Sequence, residues 1–306
     1  MTAMTSKTET LQASPKILGS SPGPILLALD GSAVADFAAR VAVDLAQSHE
    51  RPLHVVHCWL PLATAYAAGD PGIDIELAYR EPAEELLRSQ VEELERQGAT
   101  VAESHLLMGR AAEQVPELAR QIHAQLIVVG SRGLGVVKRL VLGSASEGVV
   151  HAAGTPVLVV RGEGEYWPPE HILVGADGSE HSLRAAEAAA ALAVATGARL
   201  TVATVIAQTW MDAASPVEAR QAAEARTAGT DMVQKLAAEL GAAYGITVQT
   251  VVLVGDPSVA LIAAVAPGPA VIAVGSRGFG PIKRLAMGSA STEVLHGAHC
   301  SVLISH

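Results

Sequence analysis

Short aliphatic runs alternate along the chain with longer stretches whose apolar residues return at helical spacing. The first run is Ile25-Leu-Leu-Ala-Leu-Asp30, opened by Pro24 and followed by Gly-Ser. A helical pattern follows over 33–48, and a second strand over 53–58. Residues 81–97 set apolar side chains on one face and many Glu and Arg on the other, the signature of a surface helix. Then come a strand over 101–107, a helix over 112–122, a strand over 126–129, a helix opening over 144–151 and a fifth strand over 156–160. Strands this uniformly aliphatic suit burial on both faces, as in a parallel sheet covered by helices.

The order then repeats. Residues 172–177 match 25–30, including the Asp-Gly-Ser, and 200–206, 247–254, 271–274 and 301–305 match the second to fifth strands. Between 130–160 and the stretch 145 positions later, 17 of 31 residues are identical, so the chain is one fold written twice. Strict alternation of strand and helix implies right-handed crossovers and a parallel, three-layer α/β/α domain. We therefore expect two such domains, over 24–161 and 170–306, joined by a linker over 162–169. Residues 1–23 carry Ser, Thr, Gly and Pro without hydrophobic period and read as a disordered tail.

Composition narrows the picture. The 306 residues suffice for two domains of ordinary size. Hydrophobic residues make up 50 % but aromatics only 3 %, so the core must be built from Val, Leu, Ile and Ala. A net charge of −10 repels DNA and anionic membranes. We expect neither as a partner, and any anionic ligand needs a local site that overcomes this field. Cys58 and Cys300 read as small buried hydrophobes rather than a disulfide framework. With an N-terminus lacking a leader-like apolar core, they fit a reduced cytoplasm. No apolar stretch is long enough to span a bilayer.

In open parallel sheets, ligands bind at the carboxyl ends of strands where strand order reverses. Two strand ends carry polar chemistry, Asp30 after the first and Gly130 after the fourth. If those strands are neighbours, their loops face one crevice. From there the chain runs Gly130-Ser-Arg-Gly133, nine residues, then Gly143-Ser144; the second copy runs Gly275-Ser-Arg-Gly278, nine residues, then Gly288-Ser289. Gly130 and Gly133 let the backbone approach a phosphate and turn N–H groups toward it. The helix opening at Gly143-Ser144 favours an anion at its N-terminus. Ser144 and Ser146 add hydroxyl donors, Arg139 offsets phosphate charge, and Asp30 can accept from ribose hydroxyls. Asp177, Gly275, Gly278, Arg284, Gly288, Ser289 and Ser291 repeat the set. The pattern is not a Walker A loop, which needs Gly-Lys-Ser/Thr. Nor is it the Rossmann fingerprint, which follows the first strand.

Both copies match Gly-x2-Gly-x9-Gly-Ser/Thr at every defined position, each with a first-strand Asp and a small-residue turn after the third strand, Gly109 or Gly255. In this the chain resembles a tandem universal stress protein of the ATP-binding branch, over 24–161 and 170–306. The resemblance implies an adenine nucleotide alpha hydrolase-like fold in each half, with a five-stranded parallel sheet. It implies one ATP with Mg2+ per half, with Ser144 and Ser289 as candidate metal ligands beside Ala145 and Ala290. Adenine would sit at the end of the second strand against Cys58 and Val205, and Val129 and Val274 would lead into the phosphate loops. Cys58 departs in type from the usual aliphatic residue. Domains paired through their fifth strands, a homodimer and a stress-response role are implied as well.

The same residues admit plainer readings. Asp30 and Asp177 suit helix N-caps, and Lys138-Arg139 and Lys283-Arg284 suit solvated surface. His151 and His296 each lie near a helix end, with a structural or capping role, and the remaining histidines form no metal motif. A phosphate cradle without an obvious catalytic base points to a nucleotide-binding regulator with at most weak ATP hydrolysis. A slow ATPase or nucleotidyl transferase would need more ligands and an in-line nucleophile than Asp30, Asp177, Ser144 and Ser289 supply. A nucleotide-free interaction module would leave the shared spacing unexplained. No residue pattern names a regulatory protein partner.

Overall fold

A computed structural model describes residues 23–60, 75–131, 142–162, 166–206, 215–278 and 287–306. In the first half, β1 (Ile25–Leu29), α1 (Ala33–Ser48) and β2 (Leu53–Trp59) are followed by α2 (Ile75–Arg96), β3 (Val101–Met108), α3 (Ala111–Gln121), β4 (Leu126–Gly130), α4 (Ser144–Ala152) and β5 (Val157–Val160). The second half runs β6 (His171–Gly175), α5 (Glu180–Thr196), β7 (Arg199–Ile206), α6 (Pro216–Tyr244), β8 (Val248–Val254), α7 (Pro257–Ala263), β9 (Ala270–Gly275), α8 (Ser289–Gly297) and β10 (Ser301–Ser305). Every strand expected from an aliphatic run is present, with ends moved by at most two residues. The helix expected from 81 instead begins at Ile75 and holds Pro82 inside it. Proline is tolerated best in a first turn, which draws a boundary read from sequence toward Pro82. The tail expected over 1–23 lies, but for Gly23, outside the described residues.

The strands form one ten-stranded sheet in the order β3-β2-β1-β4-β5-β10-β9-β6-β7-β8. All neighbours are parallel except β5 and β10, which run antiparallel with Val159 opposite Val302 and Leu158 opposite Leu303. Ile25, Leu26 and Leu27 are all fully buried, as expected of strands covered on both faces. Ile25 and Leu27 join a core with α1, α2, α5 and α6, while Leu26 joins the opposite core with α3, α4, α7 and α8. Both layers run unbroken across the two halves. On α5 the inward stripe is alanine, including Ala185, Ala186, Ala189 and Ala190, so that helix lies close on the sheet.

The seam between the halves has its own chemistry. Unpaired, β5 and β10 would each leave an aliphatic edge open. Arg161, only 6 % exposed, follows β5 and crosses to the second half. Its backbone N–H donates to Ser301 Oγ (3.1 Å), Nη1 donates to the Ala298 carbonyl (2.8 Å) and Nη2 to the Leu295 carbonyl. Those carbonyls end α8, where a cation also meets the negative end of the helix dipole. His296 Nε2 lies 3.1 Å from Glu147 Oε1 across the seam, and His151 Nε2 lies 3.9 Å from the same oxygen. The structural role expected of the two histidines therefore converges on one acid, whose repeat counterpart is Thr292. Trp167 Nε1 donates to Asp44 Oδ2 at 2.9 Å, tying the linker to α1.

Two seam histidines are held neutral. Burial and then Arg51 push His49 down to about 4; burial, His181, Arg277 and His151 push His306 down to about 4. In an unfolded chain both would titrate near about 6.5. Below that pH the unfolded chain takes up protons that the fold refuses. Stability from these groups is therefore complete above about pH 6.5 and lost as pH falls toward about 4. The urea midpoint is expected to drop between pH 7.5 and 5.5, and His49→Gln with His306→Gln to reduce that slope, the remainder coming from His54, His171 and His181, which burial also holds below the usual range. An identical slope in the double variant would refute the assignment.

Candidate functional site

In the first half β1 lies between β2 and β4, and in the second β6 lies between β7 and β9. The chain leaves each central strand toward one side and returns on the other, which opens a crevice at the carboxyl ends. Asp30 and Gly130 thus stand at the ends of neighbouring strands, and so do Asp177 and Gly275.

In the second half the crevice is a cleft of about 300 Å3. One wall is apolar, with Ala203 and Val205 from β7, Pro257 and Leu261 from α7, and Val274 from β9. The other wall is polar, with Asp177, Arg277, Gly278 and the start of α8. Of the expected residues, Asp177, Val205, Val274, Gly275, Gly278, Gly288, Ser289, Ala290 and Ser291 all line it. Gly255 does not; its N–H donates to the Ile206 carbonyl at 2.9 Å, just ahead of α7, from which Pro257 reaches the cleft. Arg284 lies outside the described residues.

The Asp-Gly-Ser turns cap helices, but not through the aspartate. Ser179 Oγ accepts from the Ser182 N–H (3.3 Å) and donates to the Arg277 carbonyl (3.3 Å). Asp177 Oδ1 accepts from the Ser179 N–H at 2.9 Å and so braces the cap. The turn needs φ +85° at Gly178, a left-handed conformation that favours glycine. The first half repeats this, with Ser32 N–H to Asp30 Oδ1 at 3.0 Å and Ala35 N–H to Ser32 Oγ at 3.2 Å. A second revision concerns the hydroxyls. Ser146 Oγ donates to the Gly130 carbonyl (2.7 Å) and Ser291 Oγ to the Gly275 carbonyl (2.6 Å). Each pins a helix start to a strand end instead of offering that proton to a phosphate.

The helix starts themselves are unusual. Side chains cap α1, α5, α6 and α7, through Ser32, Ser179, Ser215 and Asp256, while α3 starts at Arg110 without one. Glycines stand at the N-caps of α4 and α8, with no side-chain cap bond. The N–H groups of Gly143 and Gly288 donate to Ser131 and Ser276 carbonyls, both at 2.8 Å, closing each loop at its neck. The next N–H groups of a helix have no intrahelical partner, and the dipole there favours anions. Gly288 has φ −66°, which any residue adopts, and among the described residues a Cβ on it would meet only ordinary contacts at 3.7 Å. Neither its backbone nor its described neighbours demand glycine there, and its absent side chain leaves room at the anion-favouring end. Arg277 adds a cation to this wall. Burial and then Arg277 and Arg184 hold His181, beside it, below the usual imidazole range.

In the first half Val129 and Gly130 end β4, and Ser144, Ala145 and Ser146 open α4. Gly109 N–H donates to the Trp59 carbonyl at 3.0 Å, matching Gly255. Gly133 and Arg139 lie outside the described residues. Cys58 is partly buried beside that half's α3 and α4 core. Burial pushes its thiol, and that of Cys300, up to about 11, so both are neutral, and both are free. Sequence reasoning did not single out Ala203, Pro257, Leu261 or Arg277. Arg277 stood inside the Gly-Ser-Arg-Gly run, and Pro257 at the first position of α7 after the Asp256 cap is a legible helix-start signal.

Residues 23–161 and 169–306 each match the universal stress protein family. The chain is similar to a universal stress protein of Mycolicibacterium smegmatis, 29 % identical over 290 residues that cover 92 % of this chain and 96 % of that one. It is 42 % identical over 137 residues to one of Thermus aquaticus, covering 45 % of this chain and 97 % of the relative. A solved universal stress protein from Archaeoglobus fulgidus shares the fold, with TM-score 0.67, 22 % identity, and 93 % and 98 % of the two chains covered. Among the described residues no helix is long and apolar enough to cross a membrane.

Proposed function

This chain belongs to the universal stress protein family, with two tandem copies and a role in the stress response, and from that membership and its cleft we propose that it binds adenine nucleotide as a regulator. ATP with Mg2+ is the ligand the site supports best. The observation that carries the reading is Gly288, a glycine that neither its φ nor its described neighbours demand, at a helix start with no side-chain cap. The apolar wall of Ala203, Val205, Pro257, Leu261 and Val274 suits the faces of a purine. Phosphates would lie against the first turn of α8, with Arg277 offsetting charge and Asp177 accepting from ribose hydroxyls.

Asp177 is the one acid among the described residues lining this cleft. Mg2+ would then be held chiefly by the phosphates, with Ser289 as a candidate protein ligand. One carboxylate is little with which to orient water and place metal ions for phosphoryl transfer. That supports binding as the role and slow turnover as the limit. Any pairing of two chains must use surfaces other than the fifth strands, which are paired within the chain.

The test is nucleotide content and affinity. Freshly purified chain, denatured and analysed by chromatography, should release adenine nucleotide, and stripped chain should titrate with ATP and Mg2+. Gly288→Val should lower affinity in the second half by about tenfold or more, roughly 1.4 kcal/mol, while stability falls by no more than about 1 kcal/mol, the cost of a poorer N-cap. Stripped wild-type chain without measurable ATP affinity would sink the proposal. Phosphate release lost in Asp30→Ala with Asp177→Ala would favour the ATPase instead.

A further inference from the structure

A second cluster lies apart from either cleft. His54 on β2 and Glu103 and His105 on β3 share one sheet face, at the amino end of β2. His54 and its partner Glu103 are four residues, or about 13 Å, from Cys58 at the cleft end, and His105, opposite Val56, is two residues closer. A bulge makes the cluster. Leu53 pairs with Val101, but His54 pairs with Glu103, so the chain gains one residue at Ala102. In unbroken register His54 would face Ala102, and Glu103 and His105 would point to the other side of the sheet.

His54 Nδ1 and His105 Nε2 are 3.0 Å apart, in rings stacked 5.3 Å between centroids at 19°. Glu103 Oε2 lies 3.8 Å from the first nitrogen and 3.9 Å from the second. The imidazoles are 14 % and 13 % exposed and the glutamate 61 %. Two ligand atoms about 2.0–2.1 Å from a tetrahedral zinc ion stand about 3.3–3.4 Å apart. The nitrogens, which share a hydrogen bond, need part by only about 0.3–0.4 Å, and the exposed carboxylate needs less than about 1 Å to join them. Imidazole and carboxylate together select zinc and its neighbours rather than magnesium or calcium. The repeat supplies a control within the molecule. Thr201 and Gln249 pair as His54 and Glu103 do, and Val251 stands where His105 would be.

We propose that His54, Glu103 and His105 bind a divalent transition-metal ion of the zinc class, completed by water, which staples the edge strand β3 to β2. This revises the expectation that the histidines form no metal motif. The ligands come from separate strands, and only the bulge aligns them.

The test uses untagged full chain stripped with chelator and then titrated with zinc chloride, without nucleotide. One saturable zinc per chain and a raised melting temperature are expected. Glu103→Gln, at an exposed position, should weaken affinity about tenfold or more, and His105→Ala should abolish the site, because even outer-shell losses cost about 10–100-fold. Cobalt in place of zinc should give a visible absorption band that Glu103→Gln alters. No saturable zinc in wild type, or equal binding in wild type and both variants, would overturn the proposal and leave a neutral histidine pair beside a solvated glutamate.

Discussion

Arg161→Ala is expected to lower the unfolding free energy by about 3–5 kcal/mol, read from urea denaturation, because two hydrogen bonds from a buried cation are each worth about 1.5–3 kcal/mol. The loss has two sources. The guanidinium donors disappear, and the Leu295 and Ala298 carbonyls at the end of α8 are left in the seam without them. Arg161→Lys should recover only part, since a single ammonium cannot reproduce the planar fork that spans two carbonyls. Arg184 is the contrasting case. It pairs with Glu180 at 50 % and 75 % exposure and donates to the His306 carbonyl at 2.8 Å, both in solvent-exposed settings, so Arg184→Ala should cost about 1 kcal/mol or less. Because Arg161 joins one half to the other, its loss should also split a single unfolding transition into two. A midpoint and cooperativity equal to wild type would show that the β5–β10 pairing, the shared cores and the other seam contacts hold the halves together without Arg161.

Arg161 also marks where sequence stops being informative. Its strand was legible, because Val157–Val160 is a fully buried aliphatic run and burial of that kind is written in local composition. Its role was not, because the acceptors lie more than 130 positions away. The switch point was legible for a related reason. Asp30 and Gly130 carry polar chemistry at strand ends, and the repeat supplied the second copy. His54 and His105 sat in plain view, yet one bulged residue decides which face they share, and a bulge leaves no periodic trace. Serines at helix starts carry a fold role that residue type does not announce. Ser146 and Ser291 have donor chemistry that suits a phosphate, and in the fold their hydroxyls donate to strand-end carbonyls. Residue type alone does not say which partner a hydroxyl meets.

Gly275 raises the same question, and substitution answers it. Gly275→Ala is expected to destabilise the chain by about 3 kcal/mol or more, at the upper end of overpacking costs. A Cβ there would lie 2.6 Å from the His181 carbonyl carbon, 2.7 Å from the Ser182 nitrogen and 2.8 Å from the His181 oxygen. All three are backbone atoms of the first turn of α5, held by the Ser179 cap and its bond to the Arg277 carbonyl. Relief would have to move the helix and open the cleft wall. At Gly130 the same Cβ meets Val34 atoms at 3.2 Å, a few tenths of an ångström from ordinary contact. Gly130→Ala should therefore cost only about 1 kcal/mol. Neither glycine has positive φ, so backbone conformation does not enter the comparison. Both glycines face the first turn of a helix, so melting temperatures of the two variants measure the difference in approach directly, and equal losses would mean that α5 yields as easily at 2.6 Å as α1 does at 3.2 Å. Gly288→Val completes the series from the opposite side. It should lose ligand with only the small stability cost of a poorer N-cap, whereas Gly275→Ala loses ligand only as far as it loses fold. The family's glycine spacing then divides physically: Gly275 is glycine for the packing of a helix, and Gly288 for the room it leaves.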